Sequence, residues 1–287
     1  MDSDSPEKSK KITSNLSKRI FIGATAGPFI FFATIFSEHL FIVLLFILLI
    51  FSLKEVLSLV QAIGEQPFSW LCWILGLSLF TMSVLSKDEY VYKILFLSIF
   101  VFSAGLIFQK DGAGVVGASL SFFWTLYVSL GIGSLIFLYR FQWTGSELMR
   151  LPYAGGRTVS LILLLVWTLD TAAYFIGRRF GRRPFFQWIS PKKTIEGAVG
   201  GFLCTLIMAA AAHFIYVSFI PLHHVLALGL IVGVGGQIGD LVESSLKRRA
   251  ALKDSSTIIP GHGGVLDRFD SLFFSAPLIF MYVTFAF

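Results

Sequence analysis

Long apolar runs separated by short polar breaks make up almost the whole chain. They fall at about 20–36, 40–53, 68–86, 94–109, 118–139, 158–177, 198–220, 225–243 and 271–287. Most approach the ~20 residues with which a helix crosses a hydrocarbon core of roughly 30 Å. None alternates polar and apolar positions as a barrel strand does. The pattern predicts an all-α, polytopic transmembrane helical bundle of about nine spans. The second run is short, so it is expected either to continue past Lys54 and Glu55 or to lie partly re-entrant. Ahead of the first run, MDSDSPEKSKKITSNLSKR reads as a polar, disordered tail. No small-x-small cleavage site follows that run, which is therefore read as an uncleaved span. Three regions result: a tail over 1–19, an N-terminal transmembrane region over 20–157, and a C-terminal transmembrane region over 158–287, where the polar residues concentrate.

Composition agrees with the pattern. Apolar residues make up 55% of the chain and charged ones 14%, against about 25% charged in a soluble domain. Mean hydropathy is +0.79, so the chain is expected to be an integral membrane protein. With the N-terminus in the cytoplasm, the inner segments hold 18 of the 23 Lys and Arg residues, and Lys87, Lys93, Arg140, Arg150 and Arg157 fall outside. The net charge of +6 is then a mark of topology and of attraction to anionic membrane lipids, and no nucleic-acid partner is expected. Cys72 and Cys204 sit in predicted spans and read as packing residues.

The N-terminal half is bland. QKDGAGVVGA (109–118) has neither the spacing of a phosphate loop nor a strand before it, and reads as a loop with close packing. Gly229/Gly233 and Gly235/Gly239 read as helix-packing pairs. The second half is different. Asp170 lies about two turns inside a span, where a carboxylate needs a partner or a wet cavity. A protonated acid bonded by a nearby Thr or Tyr is the plainer alternative. In Ser190-Pro191-Lys192-Lys193-Thr194, Pro191 suits a first helical position with Ser190 as N-cap. Two lysines, a hydroxyl and free N–H groups would then converge on an anion, with Glu196 placed to pair with Lys193. The positive-inside rule alone would also explain these lysines. Asp240 and Glu243 share a helix face at the inner end of the eighth run, either as site residues or as snorkelling charges.

The segment 244–271 tips the balance. Pro260, Gly261, Gly263 and Gly264 force a turn with unpaired N–H groups, which is tolerated beside a cavity or ligand. Asp267 and Asp270 then share a face of the first turn of the last span, where carboxylates also suit the helix dipole. With Asp240 they form three acids at one membrane face. A divalent cation with oxygen ligands would relieve their repulsion, and Mg²⁺ usually arrives with phosphates. Lys247, Arg248, Lys253 and Arg268 surround them, and His262 could act as a base or hydrogen-bond donor. His39, His213, His223 and His224 read as interfacial or packing residues.

Ser244–Asp270 reads S-x-L-K-R-x4-K-D-x-S-x2-I-P-x-H-G-G-V-x-D-R-F-D and resembles, without departure, the signature of the CTP:phosphatidate cytidylyltransferase (CDP-diacylglycerol synthase) family. D-T-A-A-Y-x-x-G (170–177) and S-P-K-K-T-x-E-G (190–197) resemble the same family in order and spacing. The resemblance covers about 170–275. It implies that CTP and phosphatidate give CDP-diacylglycerol and pyrophosphate. It implies Asp240, Asp267 and Asp270 as Mg²⁺ ligands and, with Lys253, as catalytic residues. Ser190, Lys192, Lys193, Thr194, Lys247, Arg248, His262, Gly263, Gly264 and Arg268 would bind the substrates, with Asp170, Glu196 and Glu243 as additional candidates. A second cation such as K⁺, a homodimer and, in a bacterium, an inner-membrane site facing the cytoplasm are further expectations. A transporter would carry its polar groups near the midplane, whereas these crowd one interface. A CDP-alcohol phosphatidyltransferase would need D-x-x-x-D where this chain has D-x-x-D at 267–270. A structural membrane scaffold would have no need of these acids.

Overall fold

The computed structural model describes residues 25, 27–108, 114–143, 153–259 and 263–287. Among them are nine α-helices and no strand, only isolated bridges. They are α1 (Gly27–Phe36), α2 (Glu38–Ala62), α3 (Ser69–Val84), α4 (Asp88–Gly105), α5 (Gly114–Arg140), α6 (Ala154–Phe180), α7 (Ile195–Ile215), α8 (Leu222–Arg249) and α9 (Leu266–Ala286). Helix is the form in which an apolar segment satisfies its own backbone in lipid. Hydroxyls within it do the same: Thr81, Ser134 and Thr205 donate to carbonyls one turn back.

Each helix falls on a predicted run, but the count of about nine spans is too high. Six helices, α2 and α5 to α9, are long and apolar enough to cross a membrane. The described part of α1 is short, and so is α3. At ~1.5 Å per residue, the 16 residues of α3 fall short of a ~30 Å core. Charge in the first turns of α4 shortens its apolar part. The second run is not re-entrant: α2 continues as regular helix through Lys54 and Glu55 to Ala62. Residues 1–19 lie outside the described residues, as do 109–113 of the glycine-rich loop. The close-packing reading holds for Gly117 of that loop, where a Cβ would come within 2.4 Å of the Gln66 carbonyl.

The core lies where α2, α5, α6, α8 and α9 meet, around Leu49, Leu53, Val128, Ile132, Leu165 and Phe273. The two glycine pairs of α8 serve different neighbours. Gly229 and Gly233 back onto Ala209 and Phe202 of α7, while Gly235 and Gly239 back onto Leu278, Asp270 and Phe274 of α9. One helix thus seats both partners closely enough to bring their polar ends together. Gly177 and Gly197 do the same for α6 and α7, since a Cβ on Gly197 would lie 2.9 Å from the Gly177 Cα. At the opposite end Arg140 binds Glu38 and the Ser83, Val84 and Ser86 turn.

A Cβ on Gly239 would meet the Asp270 carbonyl at 2.6 Å and the Phe274 Cβ at 2.8 Å, and neither can swing away. Gly239→Ala should therefore destabilise the bundle by about 1–3 kcal/mol, read as a lower melting temperature in detergent. Gly27→Ala, which would meet only the Trp167 ring at 3.8 Å, should leave it unchanged.

Candidate active site

Two loops, 181–194 and the described residues of the α8–α9 connection (250–259 and 263–265), lie at one end of the bundle between α6, α7, α8 and α9. The first is a tight return. Phe185 N–H donates to the Lys193 carbonyl and Ile195 N–H to the Arg183 carbonyl, with Pro184 and Thr194 bridged. This corrects the expected helix start. Ser190 does not cap a helix with Pro191 as its first residue. Ser190–Lys193 forms a turn closed by the Lys193 N–H on the Ser190 carbonyl, with Pro191 at the position where its fixed φ favours a turn. Thr194, in extended backbone, is the N-cap of α7, and its Oγ1 accepts from Gly197 N–H. Glu196 does not pair with Lys193. Its Oε2 accepts the N–H groups of Arg182 and Arg183 and fastens the loop to α7. Arg248, from the end of α8, donates to the carbonyls of Ile189 and Leu252 and ties the two loops together.

The second loop is held by two carboxylates. Glu55 of α2 is 1% exposed, and it accepts Ser255 Oγ and Leu266 N on Oε2 and Ser256 Oγ and Val265 N on Oε1. The first N–H groups of α9 have no side-chain cap from their own N-cap residue, Val265, so a residue some two hundred positions upstream supplies it. Asp267 Oδ2 accepts Ser255 N, Ser255 Oγ and Gly264 N. The Gly264 N–H expected to face a phosphate is therefore given to a carboxylate. Gly263 has φ +85, in the left-handed region, and a Cβ on Gly264 would lie 1.8 Å from Ser255 Oγ. Both positions require glycine. Pro260, Gly261 and His262 lie outside the described residues.

Behind this loop is a buried ion-pair chain. Lys247 Nζ is 2.6 Å from Glu243 Oε2 and 2.5 Å from Asp267 Oδ1. Glu243 is fully buried and Lys247 7% exposed, so neither snorkels. In front is a cavity of about 650 Å³ lined by Asp170, Asp240, Asp267 and Asp270 and by Lys192, Lys193, Lys247, Arg268 and Thr194. Lys193 is ion-paired with Asp240, whose other oxygen accepts from Ser244. Asp270 accepts its neighbour's Ser271 N–H, and its own carbonyl takes the Tyr127 hydroxyl. Ser190, Glu196, Glu243, Arg248, Lys253, Gly263 and Gly264 do not line the cavity. Lys253 is exposed on the loop. Tyr174, Arg178 and Gln237 line the cavity without having been singled out. Glu55 was also missed as a site residue, although an acid inside an apolar run was the available signal.

Among the described residues, no group of three or more His, Cys, Asp or Glu side chains is gathered closely enough to hold a metal ion. The three expected ligands are unequal: Asp267 already accepts on both oxygens, whereas Asp240 and Asp270 face the cavity beside Asp170. An all-oxygen pair suits Mg²⁺, which is usually held by one or two carboxylates together with substrate phosphates.

The sequence profile of the cytidylyltransferase family matches residues 17–286. The phosphatidate cytidylyltransferase of Bacillus subtilis (strain 168) is 41% identical over 134 residues, 47% of this chain and 50% of that protein. That of Staphylococcus saprophyticus is 39% identical over 181 residues, 63% of this chain and 64% of that protein. That of Staphylococcus haemolyticus is 36% identical over 180 residues, with the same coverages. The chain thus spans between half and just under two thirds of the length of these relatives.

Glu55→Ala would leave the Val265 and Leu266 N–H groups and the Ser256 hydroxyl without their acceptor, while the Ser255 hydroxyl keeps Asp267, at ~1–3 kcal/mol for each donor left buried. Amide hydrogen exchange over 253–266 should become faster by tenfold or more, ahead of global unfolding. Glu55→Gln keeps an acceptor and should fall between the variant and the wild type.

Proposed function

We propose, because the chain belongs to the cytidylyltransferase family, that it transfers the cytidylyl group of CTP to phosphatidate, giving CDP-diacylglycerol and pyrophosphate for phospholipid synthesis. The supporting observation is the single cavity in which Asp170, Asp240 and Asp270 face Lys192, Lys193 and Arg268 at one end of an apolar bundle. Such a chamber suits two phosphate-bearing substrates, one arriving from water and one from the bilayer.

The phosphate of phosphatidate, with a second pKa near ~6, is largely dianionic at neutral pH. It needs no general base. Its oxygen attacks the α-phosphorus of CTP in line; the new P–O bond forms as the bond to the β-phosphate breaks, and pyrophosphate leaves with the electron pair. The obstacle is bringing two polyanions together, so the protein acts by positioning and by fixed positive charge. Lys193, oriented by its ion pair with Asp240, and Lys192 and Arg268 on the same cavity hold the phosphates. Asp240 and Asp270 would hold Mg²⁺ with the CTP phosphates, and Asp170 offers a carboxylate for a second cation such as K⁺. Bound there, Mg²⁺ would neutralise charge on the triphosphate and on the departing pyrophosphate. Asp267 keeps Ser255 and Gly264 in place and would join a metal only by giving up one of its protein donors. The site faces the cytoplasm, and the enzyme is a homodimer in this reading.

The purified protein with labelled CTP, phosphatidate and Mg²⁺ should move label into the lipid phase, and EDTA should stop it. Asp240→Asn and Asp270→Asn should each lower kcat by a factor of about 10² or more while the melting temperature stays near wild type. Absence of label in lipid with the wild type would refute the reading. For orientation, Lys192→Cys in a Cys72→Ala/Cys204→Ala background should react with an impermeant maleimide in inverted vesicles and not in intact cells; the reverse would put the site outside.

A further inference from the structure

The polar cavity has an apolar neighbour. A groove of about 800 Å³ runs along the side of the bundle, with α8 as its floor and α5 and α7 as its walls. Phe185, Phe186 and Ile189 of the 181–194 loop close one end. Its lining is almost wholly apolar, with Arg249 at the C-terminal end of α8. Phe123, Val199 and Val234 are each about half exposed along it, on flanks that a bilayer would cover. The groove adjoins the charged cavity, and Phe185, Ala198 and Gln237 line both. Gln237 forms a fixed partition: its Nε2 donates to the Ala198 and Gly233 carbonyls, locking α8 to α7 at the boundary.

A chamber of fixed charge that shares a wall with a long apolar groove matches one kind of molecule, an amphiphile with an anionic head and a long chain. We propose that the groove between α5, α7 and α8 receives an acyl chain of the phosphatidate whose phosphate lies in the charged cavity. This rests on the reaction proposed above and adds to it where the chain runs and which residues select it. The charged cavity directly beside the groove favours an acyl chain over a second copy of this protein. Contacts along Val199, Val234 and Ile238 then contribute to recognition in proportion to chain length, since each methylene leaving water adds a similar increment.

The test fills the groove. Val199→Trp and Val234→Trp place bulk where side chains now face outward, so the fold should persist with an unchanged melting temperature. With CTP in detergent, kcat/KM for dioleoyl phosphatidate should fall about tenfold or more, while that for dihexanoyl phosphatidate changes less than about twofold. An equal fall for both lipids, or no change for either, overturns the proposal. So does an equal fall accompanied by loss of a dimer in light scattering, which would give the groove to a second copy. Independently of turnover, a long-chain phosphatidate with a photoreactive group in its acyl chain should cross-link wild-type protein within 195–202 or 230–242, and cross-links confined elsewhere overturn it. A wild type that cross-links there but transfers no label from CTP sinks the proposed reaction and leaves the groove standing.

Discussion

The carboxylate of Glu55 is the interaction on which the functional end of this protein depends. It sits near the end of α2, is almost wholly buried, and takes four hydrogen bonds from the segment 255–266. Two of its donors are the first N–H groups of α9, which would otherwise be unpaired at a buried helix end. A negative charge there also meets the positive end of the helix dipole. With the start of α9 pinned, Asp267 and Asp270 both reach the cavity, and Asp267 also holds the loop through Ser255 and Gly264.

The charges that follow are layered. The deeper layer is Glu243, Lys247 and Asp267, mutually paired, with Glu243 fully buried and Lys247 and Asp267 reaching the cavity lining. Such a chain is not a source of net stability, since desolvation offsets most of the attraction. Its removal by halves would still be costly, so it acts as a constraint on where α8 and α9 can sit. The outer layer is Asp170, Asp240, Asp270, Lys192, Lys193 and Arg268 around the cavity. Here Lys193 and Asp240 are only about one third exposed, open enough to exchange partners. Rigid charge behind and exchangeable charge in front is the arrangement expected where polyanions must be bound and released. The apolar groove beside it sets an uncharged surface next to a charged one.

Much of this was readable from particular residues. The apolar runs gave every helix its place, because lipid leaves a backbone no better option than helix. The two glycine pairs of α8 were legible as packing sites, though not as sites for two different neighbours. Asp170, Lys192, Lys193, Asp240, Asp270 and Arg268 were found by a simple criterion, charge beside an apolar run, and the fold brings them to one cavity. Arg248 and Glu196 met the same criterion, and the fold turns their charge toward backbone groups of the loops. The criterion under-reached at Glu55, which looked like the frayed end of a short span. Nothing local distinguishes an acid that ends a helix from one that caps another helix.

Sequence alone determined the class of the molecule, its all-helical architecture and the chemical inventory of its site, since hydropathy, helix periodicity and the types of charged residue are properties of short stretches. The tertiary structure decided how many helices are long enough to cross a membrane, where α7 begins, and which carboxylates line the cavity and which hold the loop. These depend on donors and acceptors far apart in the chain. The pairing of Glu55 with Leu266 or of Lys193 with Asp240 exists only once six helices have packed, and no spacing in the sequence encodes it.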